Sequence, residues 1–269
     1  MRSLTWTSSL SKPRSMSSLS LWLQRLRAKL SANPTSDSSS PAVSTDAVQQ
    51  LEKALFDNVS HELKTPLTVI SAALDQPELD RAEIAQAARR LNRTVEHLLA
   101  AARIESGRMQ PYLEWCDPGD LTNEAVAAIA NEGREIRVSL PSDLPFLFVD
   151  ASFIERSLGI LLANAITHSA AADLVEMTVS RDGEALVWNV LDRGPALAQN
   201  EGSRIFGKFY RSPSRPGGGL GLGLFIAKNL AEQLGGTLSA TNRPDNGVRF
   251  ALRIPIGKPP ILPTEIAST

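Results

Sequence analysis

The stretch from Phe56 to Ile70, with the sequence FDNVSHELKTPLTVI, constrains this chain more than any other part. Apolar residues recur in and around it at steps of three and four, which predicts one face of a long helix. His61 lies off that face, so we expect its imidazole to point towards water or a partner. Pro66 has no backbone N–H, which predicts a kink just past the histidine. The apolar face consists of Leu51, Leu55, Val59, Leu63, Leu67, Ile70 and Leu74.

An exposed histidine with an acidic neighbour suits the acceptance of a phosphoryl group. A histidine side chain, whose ordinary pKa is about 6.5, is largely neutral at neutral pH and keeps a lone pair on one ring nitrogen. The carboxylate of Glu62 can take the proton of the other nitrogen and fix the tautomer. Thr65 lies four residues after His61, on roughly the same face. A His-Glu pair alone predicts only a solvated surface pair, so the chemistry depends on the longer string.

The string SHELKTPL at residues 60–67 resembles the phosphoacceptor motif, or H-box, of the sensor histidine kinases of two-component systems. The resemblance implies an ATP-dependent kinase that phosphorylates its own His61, with Glu62 orienting or deprotonating the ring. It also implies transfer of the phosphoryl group to an aspartate of a cognate response regulator. At the place of Thr65 the family often positions a water that dephosphorylates the regulator, but an ordinary helical hydroxyl before Pro66 fits the residues equally well.

Composition limits the other classes of function. The 269 residues carry a net charge of -1, which argues against broad affinity for nucleic acid. Cys116 is the single cysteine of the sequence, so an internal disulfide is excluded and a reducing, cytoplasmic location is expected. No apolar run approaches the ~18 residues that a membrane-spanning helix needs.

Residues 1–45 are predicted to be a disordered, serine-rich and basic segment. Within it, residues 19–30 form a short amphipathic patch. Three alternatives to a plain tail remain open for this patch: a contact with an anionic membrane surface, a transit-like segment, or the remnant of a longer sensor. Residues 258–269 are predicted to be a second disordered tail.

Residues 46–107 are predicted to form a dimerisation and phosphotransfer hairpin of two helices. The helices are expected over residues 46–75 and 81–106, with Asp80 as the second N-cap and Gly107 as the stop signal. Two antiparallel amphipathic helices leave a wide apolar seam, which a second copy would bury in a four-helix bundle. A homodimer is therefore expected, as it is in the family.

Residues 108–257 are predicted to form an α/β sandwich, which makes the whole chain α+β. The order of elements fits an antiparallel or mixed sheet that is covered on one face by helices. Residues 109–115 are expected to be a connector, and a helix then begins at Asp117 or Asp120. The remaining expected elements are strands over 136–140 and 146–149, a helix over 151–168, strands over 174–180 and 185–191, a helix over 220–234, and a hairpin of 237–242 with 248–255.

Two motifs in this half resemble the ATP-binding domain of the GHKL, or Bergerat, type, which histidine kinases share with gyrase, Hsp90 and MutL proteins. The string LLANAITHS at residues 161–169 looks like the N-box, which implies that Asn164 offers its amide oxygen to Mg²⁺ and that His168 shares its helical face. The string DRG that ends at Gly194 looks like the G1 box. It implies that Asp192 accepts the exocyclic amine of adenine and that Gly194 lets the backbone approach the base.

Two further motifs resemble the lid and the phosphate loop of the same domain. The string RIFGKFYR at residues 204–211 looks like the F-box, in which two aromatic residues anchor a mobile lid and Lys208, Arg211 or both reach the polyphosphate. The string GGGLGLGLFI at residues 217–226 looks like the G2 box, whose glycines present backbone N–H groups to phosphate before a helix. The residues implied in nucleotide binding here are Phe206, Lys208, Phe209, Arg211, Gly219, Gly221, Gly223 and Leu224.

The tract from Arg103 to Pro195 is similar to the kinase core of the potassium-responsive, osmosensing Kdp-type sensor kinases. Three residues depart from the family pattern. Ile160 replaces a frequent asparagine, Thr167 replaces the usual basic residue, and Ala196 replaces a glycine, where its methyl group would crowd the adenine pocket or stiffen the lid hinge. These departures leave one non-enzymatic alternative, a degenerate partner that binds nucleotide and dimerises with an active kinase. The H-box and the hairpin argue against a gyrase-type or mismatch-repair ATPase and against an anti-sigma serine kinase.

Overall fold

The computed structural model describes residues 45–76, 80–129, 135–170, 173–215 and 217–257, with side chains from residue 57 onward. The chain divides into two units, Met1–Ala54 and Leu55–Thr269, and all the packing reported for this protein lies within the second. The predicted tails at residues 1–44 and 258–269, with the amphipathic patch at 19–30, lie outside the described residues.

Two helices form the predicted hairpin. Helix α1 spans Thr45–Leu74 and contains Pro66, and helix α2 spans Arg81–Glu105. Asp80 caps α2, because its Oδ1 accepts hydrogen bonds from the backbone N–H groups of Ala82 and Glu83 at 2.9 and 3.0 Å. Gly107 follows α2 with a φ of 64°, the left-handed conformation that ends many helices.

The hairpin leaves several large apolar side chains in water. Leu67 is 49% exposed, Leu74 58%, Val95 40% and Leu99 50%. All four lie on α1 or α2, so the apolar seam expected from the sequence is only partly covered within one chain.

In the residues that the structure describes, seven strands form two sheets, and the larger one is mixed. The five-stranded sheet has the order β2-β4-β5-β7-β6, with β2 parallel to β4 and the other neighbours antiparallel. Strands β1 and β3 form a separate antiparallel pair. The strands are β1 (Glu114–Cys116), β2 (Ile136–Ser139), β3 (Leu147–Val149), β4 (Val175–Asp182), β5 (Ala185–Leu191), β6 (Thr237–Asn242) and β7 (Val248–Pro255).

Two expectations about this domain are corrected. The connector 109–115 ends in strand β1, whose partner β3 lies more than thirty residues away, so no local pattern indicates the pairing. The helix expected over 220–234 begins at Gly223, because Gly219 and Gly221 have φ values of 108° and 67° that a helix does not allow. The four remaining helices are α3 (Pro118–Ala127), α4 (Ala151–His168), α5 (Glu201–Arg204) and α6 (Gly223–Gln233).

Helix α4 packs between α3 and α6 and lies against β4 and β5. Its buried face, which includes Ile154, Leu158, Leu161 and Leu162, is fully covered and forms the centre of the main core with Trp188 of β5. Asp117 caps α3 and Asp150 caps α4 through side-chain acceptance of backbone N–H groups, which settles the choice between Asp117 and Asp120. None of the helices in the described residues is both long and apolar enough to cross a bilayer.

A buried hydrogen bond ties α3 to the sheet. The indole Nε1–H of Trp188 donates to the hydroxyl of Thr122 at 2.9 Å, and that hydroxyl donates to the carbonyl of Pro118 at 2.6 Å. Trp188 and Thr122 are both fully buried, so neither group can turn to water instead.

Thr122→Val removes the hydroxyl while keeping the shape of the side chain. We expect the free energy of unfolding to fall by about 1–3 kcal/mol, because the indole N–H loses its acceptor in a dry site. Denaturant unfolding followed by tryptophan fluorescence measures the change. Thr237→Val, at an exposed position of β6, serves as the control and should shift the free energy by less than about 0.5 kcal/mol. Equal effects of the two substitutions would contradict the structural importance of this hydrogen bond.

Candidate active site

A cavity of about 1080 Å³ lies between α4, the loop at residues 217–223 and helix α2 of the hairpin. Helix α4 contributes four side chains that the sequence singled out, and α2 contributes a row of charged and polar ones. The segment after α5 closes one side with Tyr210, Arg211 and Arg215. The residues that line the cavity include Glu62, Arg90, Arg93, His97, Ile160, Asn164, Thr167, His168, Tyr210, Arg211, Arg215, Gly217–Leu222, Gly223 and Leu224.

Asn164 and His168 both lie on the cavity wall, one helical turn apart on α4. A Cβ atom on Gly217 would lie 2.9 Å from the His168 ring, so the ring packs directly against the glycine loop. Burial lowers the pKa of His168 below its ordinary value and the charge of Arg215 lowers it further, against an opposite effect of Asp192. His168 is therefore neutral at physiological pH and offers one acceptor and one donor nitrogen.

Of the three residues that depart from the family pattern, two lie on the cavity wall and one does not. Ile160 and Thr167 line the cavity, and the Thr167 hydroxyl donates to the carbonyl of Ala163 within α4 at 2.7 Å. Ala196 is exposed and is not among the described residues that line the cavity, so the crowding of the adenine pocket by its methyl group stays a prediction. A stiffening of the hinge by Ala196 stays a prediction.

Asp192 follows β5 and is fully buried, with a donor for each carboxylate oxygen. Its Oδ1 accepts the backbone N–H groups of Gly194 at 3.0 Å and Val248 at 3.1 Å. Its Oδ2 accepts the Nη2–H of Arg215 at 2.6 Å. The carboxylate that the sequence assigns to adenine recognition is therefore already held by a side chain of the same chain.

Arg215 stands between the cavity and Asp192. Its side chain is 3% exposed, and its guanidinium lies 5.9 Å from the ring centroid of Phe250. Within the described part of the chain, its Nε and Nη1 atoms have no hydrogen-bond partner. Gly194 lies behind it, where an added Cβ would collide with the His168 carbonyl. A buried guanidinium with two unused donors is an incompletely satisfied group, which a ligand can displace at reduced cost.

The glycine loop before α6 depends on the absence of side chains. Gly221 has a positive φ, and an added Cβ would collide with the carbonyl of Tyr210. Gly219 also has a positive φ and turns its backbone N–H towards the cavity. Gly223 opens α6, and Leu224 lines the cavity from its first turn. The arrangement is typical of a phosphate-binding loop at a helix N-terminus.

In the segment expected to be a lid, three of the four residues that the sequence singled out are not among the described residues that line the cavity. Phe206 is 6% exposed and belongs to the main core, and Phe209, with a φ of 61°, packs on the cluster around Leu220 and Leu222, so both are anchors rather than cavity residues. Lys208 pairs with Glu105 at the end of α2 instead of reaching the cavity. Arg211 does line the cavity, where its guanidinium donates to the carbonyl of Gly217.

Glu201 organises this same segment. Its carboxylate accepts hydrogen bonds from the Tyr210 hydroxyl at 2.9 Å, the Ser212 hydroxyl at 3.0 Å, the Ser214 hydroxyl at 2.6 Å and the Ala198 N–H at 2.8 Å. Burial by itself raises the pKa of Glu201, but these hydrogen bonds outweigh it and lower the pKa to about 2. The charged carboxylate thus fixes the chain just before Arg215.

The hairpin residues of the H-box point in different directions. His61 is exposed and lines a separate groove of about 560 Å³ with Lys64, Thr65 and Thr68. The Thr65 hydroxyl donates to the carbonyl of His61 at 2.9 Å. Glu62, by contrast, is 7% exposed and turns to the cavity. Its carboxylate binds Arg90 and Gly219, so the expectation that it lies against the His61 ring differs from the structure.

Sequence reasoning missed the basic residues that shape this cavity. Arg90, Arg93 and Arg156 all line it, although none belongs to a motif. His97 lies among them, and burial, with repulsion from Arg156 and Arg93, lowers its pKa to about 4. Arg90, Arg93 and His97 lie three and four residues apart on α2, whereas Arg156 lies on α4. The spacing on α2 was visible in the sequence, but not which domain that face of the helix would meet.

Comparison with known families agrees with the two halves of the fold. Residues 51–107 match the family described as His Kinase A (phospho-acceptor) domain. Residues 149–258 match the family described as histidine kinase-, DNA gyrase B-, and HSP90-like ATPase.

Individual relatives come from the same group. The sensor protein KdpD of Escherichia coli is 33% identical over 220 residues, which cover 77% of this chain and 25% of KdpD. The sensor-like histidine kinase SenX3 of Mycobacterium tuberculosis is 32% identical over 215 residues, which cover 74% of this chain and 52% of SenX3. This chain thus corresponds to about a quarter and about half of their lengths. The histidine kinase ThkA, solved in complex with the response regulator protein TrrA, has the same fold, with a TM-score of 0.58 at 19% identity over 79% of this chain and 64% of ThkA.

Arg215→Met removes the side chain that holds Asp192, the carboxylate that the sequence assigns to adenine recognition. We expect a non-hydrolysable ATP analogue to bind about tenfold tighter or more, because binding no longer has to break a buried ion pair. Titration calorimetry at fixed Mg²⁺ measures the affinity. Arg249→Met, at an exposed position of β7, should leave it unchanged. Weaker binding by the Arg215 variant would mean that the guanidinium holds the ligand rather than blocking it.

Glu201→Gln removes the charge and replaces one accepting carboxylate oxygen with an amide nitrogen that cannot accept a hydrogen bond. The folded pKa of about 2 lies below the ordinary value of 4.5, so the charged carboxylate adds stability above pH 4.5 that is lost as pH falls towards 2. We expect the variant to have a lower Tm at pH 7, and the gap to the wild type to narrow as pH falls from about 4.5 towards 2. Thermal unfolding across that range measures it. Glu232→Gln, on the exposed face of α6, is the control, and a gap that stays constant with pH would contradict the role of the charge.

Proposed function

The chain belongs to the sensor histidine kinases and carries their catalytic core, and from this premise we propose that it phosphorylates its own His61 from ATP and passes the phosphoryl group to an aspartate of a response regulator. The observation that carries the proposal is the pairing of an exposed histidine on α1 with a glycine-lined cavity in the domain that follows. An exposed imidazole can be reached both by the ATP-binding domain and by a second protein, and transfer to a response regulator requires both.

ATP binding uses the Asp192 carboxylate for adenine and the glycine loop for the phosphates. The adenine amine donates to the Oδ2 atom of Asp192, which requires the Arg215 guanidinium to leave. His168 and Leu224 flank the route to the loop, and the backbone N–H groups at residues 217–223 receive the phosphates. Arg211 is the cation of the lid segment that already lies on the cavity wall, which supports it as a phosphate ligand.

The cavity also fits a Mg²⁺ ion. Among the described residues, no group of three or more histidine, cysteine or acidic side chains could form a metal cage. Mg²⁺ takes few protein ligands and binds mainly phosphate oxygens and water, so a single amide oxygen from Asn164 suits it. Bound there, the ion would neutralise charge on the phosphates, while Asn164 orients it.

Transfer to His61 requires a rearrangement. His61 is not among the described residues that line the cavity, although its neighbour Glu62 is. The domain must therefore shift along the hairpin. The shift breaks the Lys208–Glu105 ion pair, the contact of Glu62 with Gly219 and the apolar cluster that Leu98 and Ala101 form with the domain. The ring nitrogen then attacks the terminal phosphorus as the bond to the ADP oxygen breaks, and Glu62 is free to orient the ring or take its second proton. Catalysis consists mostly of positioning and charge neutralisation.

Two kinds of partner follow from the hairpin. A second copy of the chain would cover Leu67, Leu74, Val95 and Leu99 and complete a four-helix bundle. A response regulator would dock over the groove at His61, where Lys64, Thr65 and Thr68 supply polar contacts. A role of Thr65 in dephosphorylating the regulator belongs to this proposal, and its hydroxyl now bonds to its own helix.

Incubation of the chain with radiolabelled Mg·ATP tests the proposal. We expect an acid-labile label on the wild type, and a loss of at least about a hundredfold for His61→Gln, which removes the acceptor nitrogen, and for Asn164→Ala, which removes the metal ligand. Asp57→Asn, an exposed substitution on α1, should keep the label.

Two outcomes would contradict autophosphorylation at His61. Label that persists in His61→Gln would assign the phosphate to another residue. Absence of label on a wild type that still binds nucleotide would favour a degenerate partner of an active kinase, and Ile160, Thr167 and Ala196 would then be the residues to revert.

A further inference from the structure

The carboxylate of Glu62 occupies the glycine loop in the way that a phosphate group would. Its Oε1 accepts the backbone N–H of Gly219 at 3.2 Å, and its Oε2 accepts the Nη2–H of Arg90 at 3.1 Å. A loop N–H and a guanidinium that meet on one anion are the donors that proteins use for phosphate. The two donors come from different domains, so they meet only while α2 lies against the loop.

Arg90 lies close enough to the loop to act as part of it. A Cβ atom on Gly218 would lie 3.1 Å from the Arg90 Nη2 atom, which is tighter than ordinary packing. The guanidinium therefore rests on a backbone that has no side chain in the way. Half of the Arg90 side chain is still exposed, whereas Glu62 has only 9% of its side chain exposed. The guanidinium thus has room for a larger anion than the one it holds.

Three other arginines of the cavity are engaged elsewhere. Arg215 binds Asp192, Arg211 binds the carbonyl of Gly217, and Arg156 donates to the carbonyl of Glu96 at 3.2 Å. Thr167, where the family usually has a basic residue, has no charge. The partner of Arg90 is Glu62, an anion that also binds the glycine loop. A phosphate that replaces the Glu62 carboxylate can therefore bind the guanidinium where it already lies.

We propose that Arg90 and the Gly219 N–H form the binding site of the terminal phosphate of ATP, and that Glu62 fills this site until ATP displaces it. The inference rests on the proposed function, because it requires ATP in this cavity. A terminal phosphate carries up to two negative charges and three acceptor oxygens against one charge and two oxygens of the carboxylate, so it competes well for both donors. ADP ends one phosphate earlier and leaves Glu62 where it is. Glu62 and Arg90 together thus make the affinity of the site depend on the third phosphate. Arg90 of α2 also supplies the positive charge that the family usually has at the position of Thr167.

The ratio of two affinities tests this binding site without relying on activity. Titration calorimetry at fixed Mg²⁺ gives Kd for AMPPNP and for ADP with each purified chain. Arg90→Ala should weaken AMPPNP about tenfold or more while ADP changes less than about twofold. Glu62→Gln should tighten AMPPNP severalfold with little effect on ADP, because a neutral amide holds Arg90 less strongly. Arg89→Ala is the matched control, since Arg89 is the exposed neighbour on α2 and should leave both values unchanged.

The outcomes separate this inference from the proposed function. If the wild type binds both nucleotides but Arg90→Ala weakens them equally or not at all, the terminal-phosphate site is wrong and the kinase proposal stands. If Glu62→Gln leaves the AMPPNP affinity unchanged or weaker, the carboxylate does not compete for that site, which also overturns the inference. If the wild type binds neither nucleotide, both proposals fall together.

Discussion

A buried carboxylate needs a hydrogen-bond donor for each of its oxygens. Around the cavity, this requirement determines which side chains and loops pack together. Asp192, Glu201 and Glu62 are all nine-tenths buried or more. Each takes its donors from a segment that a nucleotide would have to touch: Asp192 from Arg215, Glu201 from the residues just before Arg215, and Glu62 from Arg90 and the glycine loop. The arrangement of the side chains around the cavity follows from satisfying these three buried charges.

The same requirement explains how the hairpin meets the ATP-binding domain. Glu62 and Arg90 connect α1 and α2 to the glycine loop, and Glu105 at the end of α2 pairs with Lys208. These charged contacts lie beside an apolar cluster, in which Leu98 and Ala101 of α2 are buried together with Phe153 of α4 and Leu222 of the glycine loop. The apolar seam of the hairpin, with Leu67 and Leu99 half exposed, points to a different and more permanent contact.

Local signals allowed much of the fold to be predicted from the sequence. Helix α4 and the closing hairpin β6–β7 have the expected bounds, because capping residues, turn residues and periodicity agree there. Strand β1 was missed because it is three residues long and its partner is distant in the chain. The motifs gave Asn164, His168 and the glycines of the cavity. Arg215 and Arg90 lie 23 and 28 residues along the chain from the carboxylates that they bind. No local sequence pattern predicts ion pairs between residues so far apart.

In the proposed mode of ATP binding, the Arg215–Asp192 pair makes the nucleotide compete with a side chain of the protein for the same carboxylate. A tethered competitor acts at a fixed effective concentration that dilution of the protein does not lower. The apparent affinity for ATP is then the intrinsic affinity reduced by the fraction of molecules in which the guanidinium has left the carboxylate. A distant event that moves the segment around Arg215 would change that fraction, so a signal that acts outside the cavity could tune how readily the site fills.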